Sequence, residues 1–186
     1  NIIIATGAEP FVPPIEHIDQ VDFLTSDTLW QLQELPERTV ILGGGPIGTE
    51  LTQAFARLGS QVTQVELLPA LLSREDPEFS GMVQGQLERE GVTVLTGHRA
   101  TSVRVSGPAK SLVVVDGDGV QSLVDFDQLI IAVGRQANVS GFGLEALGVE
   151  LNPNGTVAVD DFLRTNFPNV YAIGDVAGPY QFTHTA

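Results

Sequence analysis

Three glycines at fixed spacing are the residues whose types and positions most clearly point to chemistry in this sequence. They lie in the run Gly43-Gly44-Gly45-Pro46-Ile47-Gly48, which has the pattern G-x-G-x-x-G. In such a turn the first glycine allows a tight bend, the second lets a pyrophosphate approach the backbone, and the third lets a helix pack closely on its strand. The pattern alone is a weak signal, because 20 of the 186 residues are glycine and short motifs recur by chance.

Two acidic residues stand at positions that a bound dinucleotide could use. Glu66 lies 18 residues beyond Gly48, at the predicted end of the next strand, where a carboxylate accepts hydrogen bonds from the adenosine ribose hydroxyls. The alternative is a solvated carboxylate at a strand end. Glu50 lies in the first turn of the predicted helix, where it could simply complement the helix dipole. No Gly-Lys-Ser/Thr follows, so the turn differs from an ATP-type phosphate loop.

The elements around the glycines predict a strand–helix–strand unit. A strand over residues 39–42 leads into the turn, a helix begins at Pro46 and ends at Gly59, and a second strand follows over residues 61–66. Strands joined through a helix are parallel, and an anion would sit at the N-terminus of that helix. The helix face predicted to be buried consists of residues at helical spacing, Ile47, Leu51, Ala54, Phe55 and Leu58.

A second helix and strand repeat this scheme. Asp76 is predicted to cap the helix, Pro77 to occupy its first position and Gly91 to close it, and a strand follows over residues 92–95. The predicted buried stripe is Phe79, Val83 and Leu87. A shorter helix is predicted over residues 26–35.

The remaining strands indicate an antiparallel region and a buried central strand. Residues 100–105, 112–115 and 120–124 predict short strands of an antiparallel meander. The turn over residues 116–119 reads Asp-Gly-Asp-Gly, but no bidentate acid follows at calcium-loop spacing, so we predict a hairpin turn. Residues 129–133 form a continuous apolar run, which is typical of a strand buried on both faces.

Three predicted strands end in the same way. The sequence Ala-x-Gly closes the strands that begin at Ile2, Leu129 and Val170, with the glycines at positions 7, 134 and 174. Glycine at the carboxyl end of a strand permits a tight turn or the close approach of a ligand. Three unrelated strand-to-loop turns are the alternative.

Composition excludes several classes of function. The net charge of −14 disfavours nucleic acids and anionic membrane surfaces as partners. The chain has no cysteine, so a disulfide scaffold, a Cys-ligated zinc site and thiol chemistry within it are excluded. No apolar run within it is long enough to span a bilayer, and its N-terminal residues do not show the pattern of a signal peptide, so we expect neither feature in this sequence. The histidines are isolated from any metal or hydrolytic motif, so no metal site is predicted.

Several segments together resemble the pyridine nucleotide–disulfide oxidoreductases, a family of flavoproteins. The matching segments are Ala5-Thr6-Gly7, residues 43–50, Ala132-Val133-Gly134-Arg135 and residues 169–175, in the family's order and spacing. Residues 144–149 and the pair Arg164-Thr165 are also similar. The family's proline after Gly-Arg-x is Ala137 here, which is a departure from the pattern.

The resemblance implies two cofactors, NAD(H) and FAD. Within the NAD(H) site the turn glycines would hold the pyrophosphate, Glu66 the ribose, Gly134 would lie near the nicotinamide end, and Glu50 would approach the carboxamide. The implied NAD(H) residues are Gly43, Gly45, Pro46, Ile47, Gly48, Glu50, Glu66 and Gly134.

For FAD, the resemblance implies that Asp175 hydrogen-bonds the ribityl or phosphate region. Residues 181–184 would bring the amides of a helix N-terminus to the pyrimidine edge of the flavin, where the positive end of the dipole stabilises the reduced anion. The implied FAD residues are Thr6, Gly7, Ala8, Gly174, Asp175, Gln181, Phe182, Thr183 and His184.

We therefore expect an α/β fold. A Rossmann-like three-layer NAD-binding domain, with a parallel sheet plus an antiparallel β-meander, should cover residues 15–143. Residues 1–14 and 144–186 should supply partial strands of a second, incomplete FAD-binding domain. The sequence starts without Met inside an apolar strand, and the family carries its redox Cys pair upstream and its His–Glu pair downstream. We expect a piece of a longer protein, with no catalytic residue in this piece.

The implied whole protein is an FAD-dependent oxidoreductase that passes hydride from NADH to flavin and on to a disulfide or similar acceptor. We expect it to be a cytoplasmic homodimer. Two alternatives stay open: a ferredoxin- or quinone-type NADH reductase without a redox disulfide, and a non-catalytic NAD-sensing module.

We expect the site to prefer NAD(H) over NADP(H). Glu66 would repel the 2′-phosphate of NADP(H). Residues 67–72 contain no cation, and the first one after Glu66 is Arg74. A loop that folds back could still bring Arg74 to that phosphate.

Overall fold

The structure is a computed structural model, and it describes residues 1–178 of the chain. These residues form two compact units, one of residues 10–134 and the other of residues 1–9 with the described residues from Arg135 onward. The two changeovers, at residues 9/10 and 134/135, lie about five and about nine residues before the boundaries predicted at 14/15 and 143/144. Strand pairing accounts for the second difference, because the strand over Arg135–Ala137 pairs with the one over Ala8–Pro10.

The described residues form many short strands and a few helices. The strands are β1 Ile2–Ile4, β2 Ala8–Pro10, β3 Phe23–Thr25, β4 Arg38–Leu42, β5 Gln61–Val65, β6 Thr93–Leu95, β7 Arg99–Ser106, β8 Ala109–Val115, β9 Gln121–Phe126, β10 Gln128–Ile131, β11 Arg135–Ala137 and β12 Val170–Ala172. The helices are α1 Pro46–Leu58, α2 Pro77–Arg89 and the single turn α3 Leu144–Leu147.

The larger unit has three layers, as predicted. Its central sheet is parallel, with strand order β3-β10-β4-β5-β6. Ile41 and Ile130 pack with α1 and α2 residues on one face. Their neighbours Leu42 and Ile131 pack on the other face with the meander β7-β8-β9. Successive strand residues point to opposite faces, so the apolar runs of β4 and β10 are buried on both sides.

The strand–helix–strand prediction around the glycines is confirmed, but the predicted buried face of α1 is right only at Phe55 and at the partly buried Leu51. Phe55 is buried, whereas Ile47, Ala54 and Leu58 are exposed. The buried residues of α1 are Gly48, Thr49, Thr52 and Phe55. Small and polar side chains face the sheet at the start of α1, because a Cβ on Gly48 would already overlap Gly43 O there, and a large side chain, Phe55, is buried only further along the helix.

The second helix also departs from its predicted stripe at one position. Asp76 caps α2 as predicted, accepting a hydrogen bond from Glu78 N at 2.9 Å. Leu87 is buried, but Phe79 is 62% exposed, and Ser80 is buried instead. The Ser80 hydroxyl donates to Leu71 O, which ties the start of α2 to the loop after β5.

The prediction of a helix over residues 26–35 is wrong. This segment contains only a 3-10 turn over Leu29–Gln31. The Thr28 hydroxyl accepts from Thr25 N at 2.9 Å, and Trp30 Nε1 donates to Ser26 O at 2.9 Å. Side-chain bonds to nearby backbone groups compete with helical hydrogen bonds.

The meander and its hairpin turn are confirmed. β7, β8 and β9 pair antiparallel in sequence order. In the turn between β8 and β9 one carboxylate oxygen of Asp116 accepts from Asp118 N at 3.0 Å and from Val120 N at 2.9 Å. The Asp116 carboxylate therefore stabilises the turn by accepting hydrogen bonds from the backbone N–H groups of the turn itself.

The smaller unit contains two strand pairs around one apolar cluster. β1 pairs parallel with β12, and β2 pairs with β11. The cluster consists of Ile4, Ala137, Leu144, Val149, Val157, Val170, Ala172, Val176 and Ala177. β2 and β11 were not predicted from the sequence, because neither Ala-Glu-Pro nor Arg-Gln-Ala shows strand periodicity.

Candidate functional site

The first and third glycines of the turn are required by packing. Gly43 has a φ of +119°, and its N–H donates to Val65 O at 2.8 Å. A Cβ on Gly43 would overlap the carbonyl of Ala132, and a Cβ on Gly48 would overlap the carbonyl oxygen of Gly43. The turn therefore lies against β10 on one side and against its own helix on the other.

The second glycine has open surroundings. A Cβ on Gly45 would meet no atom within 4 Å, and its φ of −74° is accessible to any residue. Gly45 is the N-cap of α1, and no side chain of the described residues caps this helix. The N–H groups of the first helical turn have no partner within the helix. Pro46 and Ile47 are exposed beside them. This arrangement fits the approach of a pyrophosphate to the backbone.

Glu66 follows β5 directly and contacts the turn. One of its carboxylate oxygens accepts from Gly44 N, and the other accepts from Leu68 N at 2.7 Å. A carboxylate oxygen can accept more than one hydrogen bond, so these two bonds do not exhaust the acceptor capacity of Glu66. The structure thus places a half-buried negative charge beside the glycine turn.

Gly44, at the first variable position of the motif, is also restricted, which sequence reasoning missed. A Cβ there would lie 2.7 Å from Leu71 Cδ2 and 2.9 Å from Glu66 Cγ. Both neighbours are more than 20 residues away along the chain, and no local pattern indicates them.

The loop after β5 folds back onto the turn. Leu71 is fully buried, and Leu72 N donates to Gly44 O at 2.7 Å. Leu72 has a φ of +48°, which bends the backbone at this point. Arg74 is exposed two residues later, so the fold-back considered in the sequence analysis does occur for the loop backbone.

The turn, Glu66 and Gly134 lie at one edge of the sheet. β10, β4 and β5 are adjacent and parallel, so their carboxyl ends meet there. Gly134 has a φ of +133°, and its carbonyl accepts from Phe11 N at 3.0 Å. The chain proceeds from β4 to β5 on one side, while β10 lies on the other. Ligands of open α/β sheets bind in the crevice at such a switch point.

Glu50 lies elsewhere on α1. It is exposed and lines a groove between α1 and α2, together with Gln53, Val83 and Gln86. The predicted contact of Glu50 with a nicotinamide carboxamide stays a prediction.

In the smaller unit, the strip over residues 6–8 is held by hydrogen bonds to Asn138. Thr6 Oγ1 donates to Asn138 O at 2.6 Å, and Asn138 Nδ2 donates to Thr6 O at 3.0 Å. Asn138 N also donates to Gly7 O at 2.9 Å. Gly7 and Gly174 have φ values of +69° and +74°, so the chain turns sharply after both β1 and β12.

Arg135 connects two of the predicted flavin residues. Its guanidinium donates to Ala8 O, and its Nε lies 3.7 Å from a carboxylate oxygen of Asp175. Sequence reasoning used Arg135 only as part of a motif and missed this role. The other predicted flavin residues, Gln181, Phe182, Thr183 and His184, lie outside the described residues.

Residues 1–178 contain neither a metal-ligand cluster nor a membrane-spanning helix. In that part of the chain no three His, Asp or Glu side chains form a group that could hold a metal ion. No helix there is both long enough and apolar enough to cross a bilayer.

Comparison with known proteins shows that the chain is similar to part of several oxidoreductases. The family model described as pyridine nucleotide-disulphide oxidoreductase matches residues 1–186. Mercuric reductase from Streptomyces lividans is 44% identical over 186 residues, which is 100% of this chain and 39% of that protein. Dihydrolipoyl dehydrogenase from Chlorobaculum tepidum is 39% identical over 187 residues, which is 100% of this chain and 39% of that protein.

The fold of the chain is also similar to that of a solved structure. The HOCl-induced flavoprotein disulfide reductase RclA from Escherichia coli matches with a TM-score of 0.87 and 34% identity, over 99% of this chain and 41% of that one. The chain thus spans about two fifths of the length of the relatives that it matches.

Proposed function

The chain belongs to the pyridine nucleotide-disulphide oxidoreductase family, and from this membership we propose that it is the NAD(H)-binding portion of an FAD-dependent oxidoreductase. In the whole protein hydride passes from NADH to flavin, and the electrons continue to a disulfide or similar acceptor. The observation that carries the proposal is the open Gly45 at the uncapped N-terminus of α1. The redox chemistry is supplied by the two cofactors when bound, while the protein binds and orients them.

Residues 10–134 supply the NAD(H) site in this proposal. The amides at Gly45 and in the first turn of α1 bind the pyrophosphate, with favourable interaction from the helix dipole. Glu66 accepts hydrogen bonds from the adenosine ribose. Gly134 lies toward the nicotinamide end, and Glu50 approaches the carboxamide. The position of the turn, Glu66 and Gly134 at one sheet edge supports the first three of these roles.

The smaller unit supplies part of the FAD site. Thr6, Gly7 and Ala8 line it, and Gly174 and Asp175 contact the ribityl or phosphate region. The contacts of Arg135 with Ala8 O and with the Asp175 carboxylate support this grouping. Residues 181–184 complete the proposed site toward the flavin ring. We further propose that the whole protein is a cytoplasmic homodimer and that it prefers NADH to NADPH.

Calorimetric titration of the chain with NADH tests this proposal. We expect saturable binding of one NADH per chain. Gly45→Ala should weaken it by about tenfold, or roughly 1.4 kcal/mol, because the added methyl group stands where the pyrophosphate approaches. Gly81→Ala is the matched control, since its Cβ also meets no atom within 4 Å and it lies on α2. If wild type shows no saturable binding, or if both variants bind equally well, the proposal is wrong.

A further inference from the structure

Gln64 is the one large polar side chain among the fully buried residues of the described chain. It lies on β5 and is 0% exposed. Val62, two residues earlier on the same face of the strand, packs in an apolar cluster with Ile41 and Phe55. Burying an amide among such residues is unfavourable unless hydrogen bonds compensate it. The bonds that Gln64 makes therefore explain its presence.

These bonds are directed at the glycine turn. Gln64 Nε2 donates to Gly43 O at 3.0 Å and to Thr49 Oγ1 at 3.3 Å. A carbonyl oxygen can only accept, so the nitrogen of the amide must face Gly43. Gln64 Oε1 has no hydrogen-bond partner in the described part of the chain. The compensation for burial thus comes from the two bonds that Nε2 donates.

Thr49 extends this network to the next carbonyl. Its hydroxyl accepts from Gln64 and donates to Gly44 O at 3.3 Å. Thr49 is buried in the first turn of α1 and is held there by the bond from its N–H to Gly45 O at 2.9 Å. Gln64 and Thr49 together fix the carbonyls of Gly43 and Gly44, the two peptide groups that precede Gly45.

Fixing these carbonyls also fixes the N–H groups of the turn. In a trans peptide the C=O and the following N–H point in opposite directions. With Gly43 O held toward Gln64, the Gly44 N–H points to the Glu66 carboxylate. Thr49 and Leu72 hold Gly44 O, so the N–H of Gly45 points away from these two residues. Gly45 is also the residue of the turn whose surroundings are open.

We propose that Gln64 is a positioning residue for dinucleotide binding: through Gly43 O and Thr49 it orients the amides of the glycine turn that bind the pyrophosphate. The inference rests on the proposed function and deepens it, because it assigns part of the NADH affinity to a residue that does not touch the cofactor. Gln64 preorganises the turn, so removing its donors allows the peptide groups to rotate and weakens anion binding.

The test is a double-mutant cycle on the chain with NADH as the ligand. Gln64→Met keeps the side-chain length and removes both donors, and it should weaken NADH binding by about tenfold, or roughly 1.4 kcal/mol. In the Gly45→Ala background the pyrophosphate contact is already impaired, so Gln64→Met should weaken NADH binding there by less than about threefold. The effects of two substitutions on the binding free energy are not additive when both residues act through the same contact. Thr52→Val is the matched control, since Thr52 Oγ1 is equally buried on α1 and has no partner among residues 1–178.

The outcomes separate the inference from the proposed function. Additive losses in the cycle, or wild-type affinity in Gln64→Met, would overturn the role of Gln64 while NADH binding by wild type still stands. Absence of NADH binding by wild type would instead refute the proposed function. If Gln64→Met does not fold, Thr49→Val carries the same prediction, and Thr49→Ser, which keeps the hydroxyl, should restore the affinity. Equal affinities of these two Thr49 variants would contradict the inference.

Discussion

At the scale of single residues, the turn uses glycine for two different reasons. Gly43, Gly44 and Gly48 are surrounded by atoms that a Cβ would meet, while Gly45 borders open space. Backbone packing therefore requires Gly43 and Gly48, side chains crowd Gly44, and for Gly45 we propose that ligand approach is the reason.

This difference predicts opposite effects on folding and on binding. Gly48→Ala should destabilise the chain by about 2 kcal/mol, because its Cβ meets the backbone carbonyl of Gly43 and overpacking costs more than the gain in helix propensity. Urea unfolding measures this. Gly45→Ala should leave the free energy of unfolding within about 0.5 kcal/mol of the wild-type value. Gly81→Ala, on open α2, should be stabilising by about 1 kcal/mol. A Gly48→Ala variant as stable as wild type would show that the turn can relax.

A second prediction at this scale concerns the choice of cofactor. Wild type should bind NADH more tightly than NADPH by at least about tenfold, or roughly 1.4 kcal/mol. The Glu66 carboxylate, held beside the turn by Gly44 N and Leu68 N, repels a 2′-phosphate. Glu66→Gln, which keeps an acceptor but removes the charge, and Glu66→Ser should both narrow the preference in titrations with the two cofactors.

Arg74 provides the control for that prediction. Arg74 is the first cation after Glu66 in the sequence. Its loop is anchored to the turn through Leu72 N, so Arg74 is the cation to test for binding to a 2′-phosphate. Arg74→Ala should leave NADPH affinity unchanged. Equal affinities of wild type for both cofactors, or a loss of NADPH binding in Arg74→Ala, would show that the Glu66 assignment is wrong.

At the scale of elements, one carboxylate links α1 to α2 beside their shared apolar cluster. Glu90, which ends α2, accepts hydrogen bonds from Arg57 at 2.7 and 2.9 Å and from Gln86 at 2.7 Å. The bond from Arg57, followed by the one from Gln86, lowers the pKa of Glu90 from 4.5 to about 2. The ionised carboxylate therefore links the two helices.

The lowered pKa predicts a pH window for this contribution. A carboxylate whose pKa is depressed in the folded state stabilises it fully above the unfolded pKa of about 4.5, and loses that effect as pH falls toward 2. Glu90→Gln should thus be less stable than wild type at pH 7, and the difference in unfolding free energy should shrink between about pH 5 and pH 2. Glu88→Gln is the control on the same helix. A difference that does not change with pH would contradict the role of the ionised form.

At the scale of the whole molecule, the chain should be colourless when purified. The glycine turn before α1 is assigned to NAD(H), and α3, which also follows a glycine, is a helix of only four residues. Gly7 and Asp175 by themselves bury too little of a large ligand to offset its lost freedom. Visible absorbance measures bound flavin, before and after incubation with excess FAD and gel filtration. A yellow preparation with stoichiometric flavin would refute this expectation.

The smaller unit should also promote association between chains. Its parallel pair β1–β12 has two strands, and Ile2 and Ile3 are 56% and 63% exposed. Exposed apolar strand edges invite pairing with another copy. Sedimentation should show association that rises with concentration and is reduced in Ile3→Lys. Leu58→Lys, at an exposed apolar position of the larger unit, should not reduce it. A strictly monomeric chain at high concentration would count against this prediction.

The sequence by itself determined the elements whose signals are local. The glycine turn, the cap at Asp76, the hairpin at Asp116 and the apolar run of β10 each depend on residues within a few positions of one another. Their spacing therefore predicted the strand–helix–strand unit, the meander and the layer order. The segments in family order also predicted the family, which the family model confirmed.

Only the tertiary structure decided which residues contact the turn. Gln64, Glu66 and Leu71 reach it from beyond α1, and Arg135 reaches Ala8 across 127 positions of sequence. Periodicity placed Ile47 and Leu58 inside because it registers hydrophobicity alone. The close contact at Gly48 admits only small side chains at the start of the buried face of α1, while the larger Phe55 is buried further along the helix. Contacts between distant residues arise from packing, and no pattern within one element encodes them.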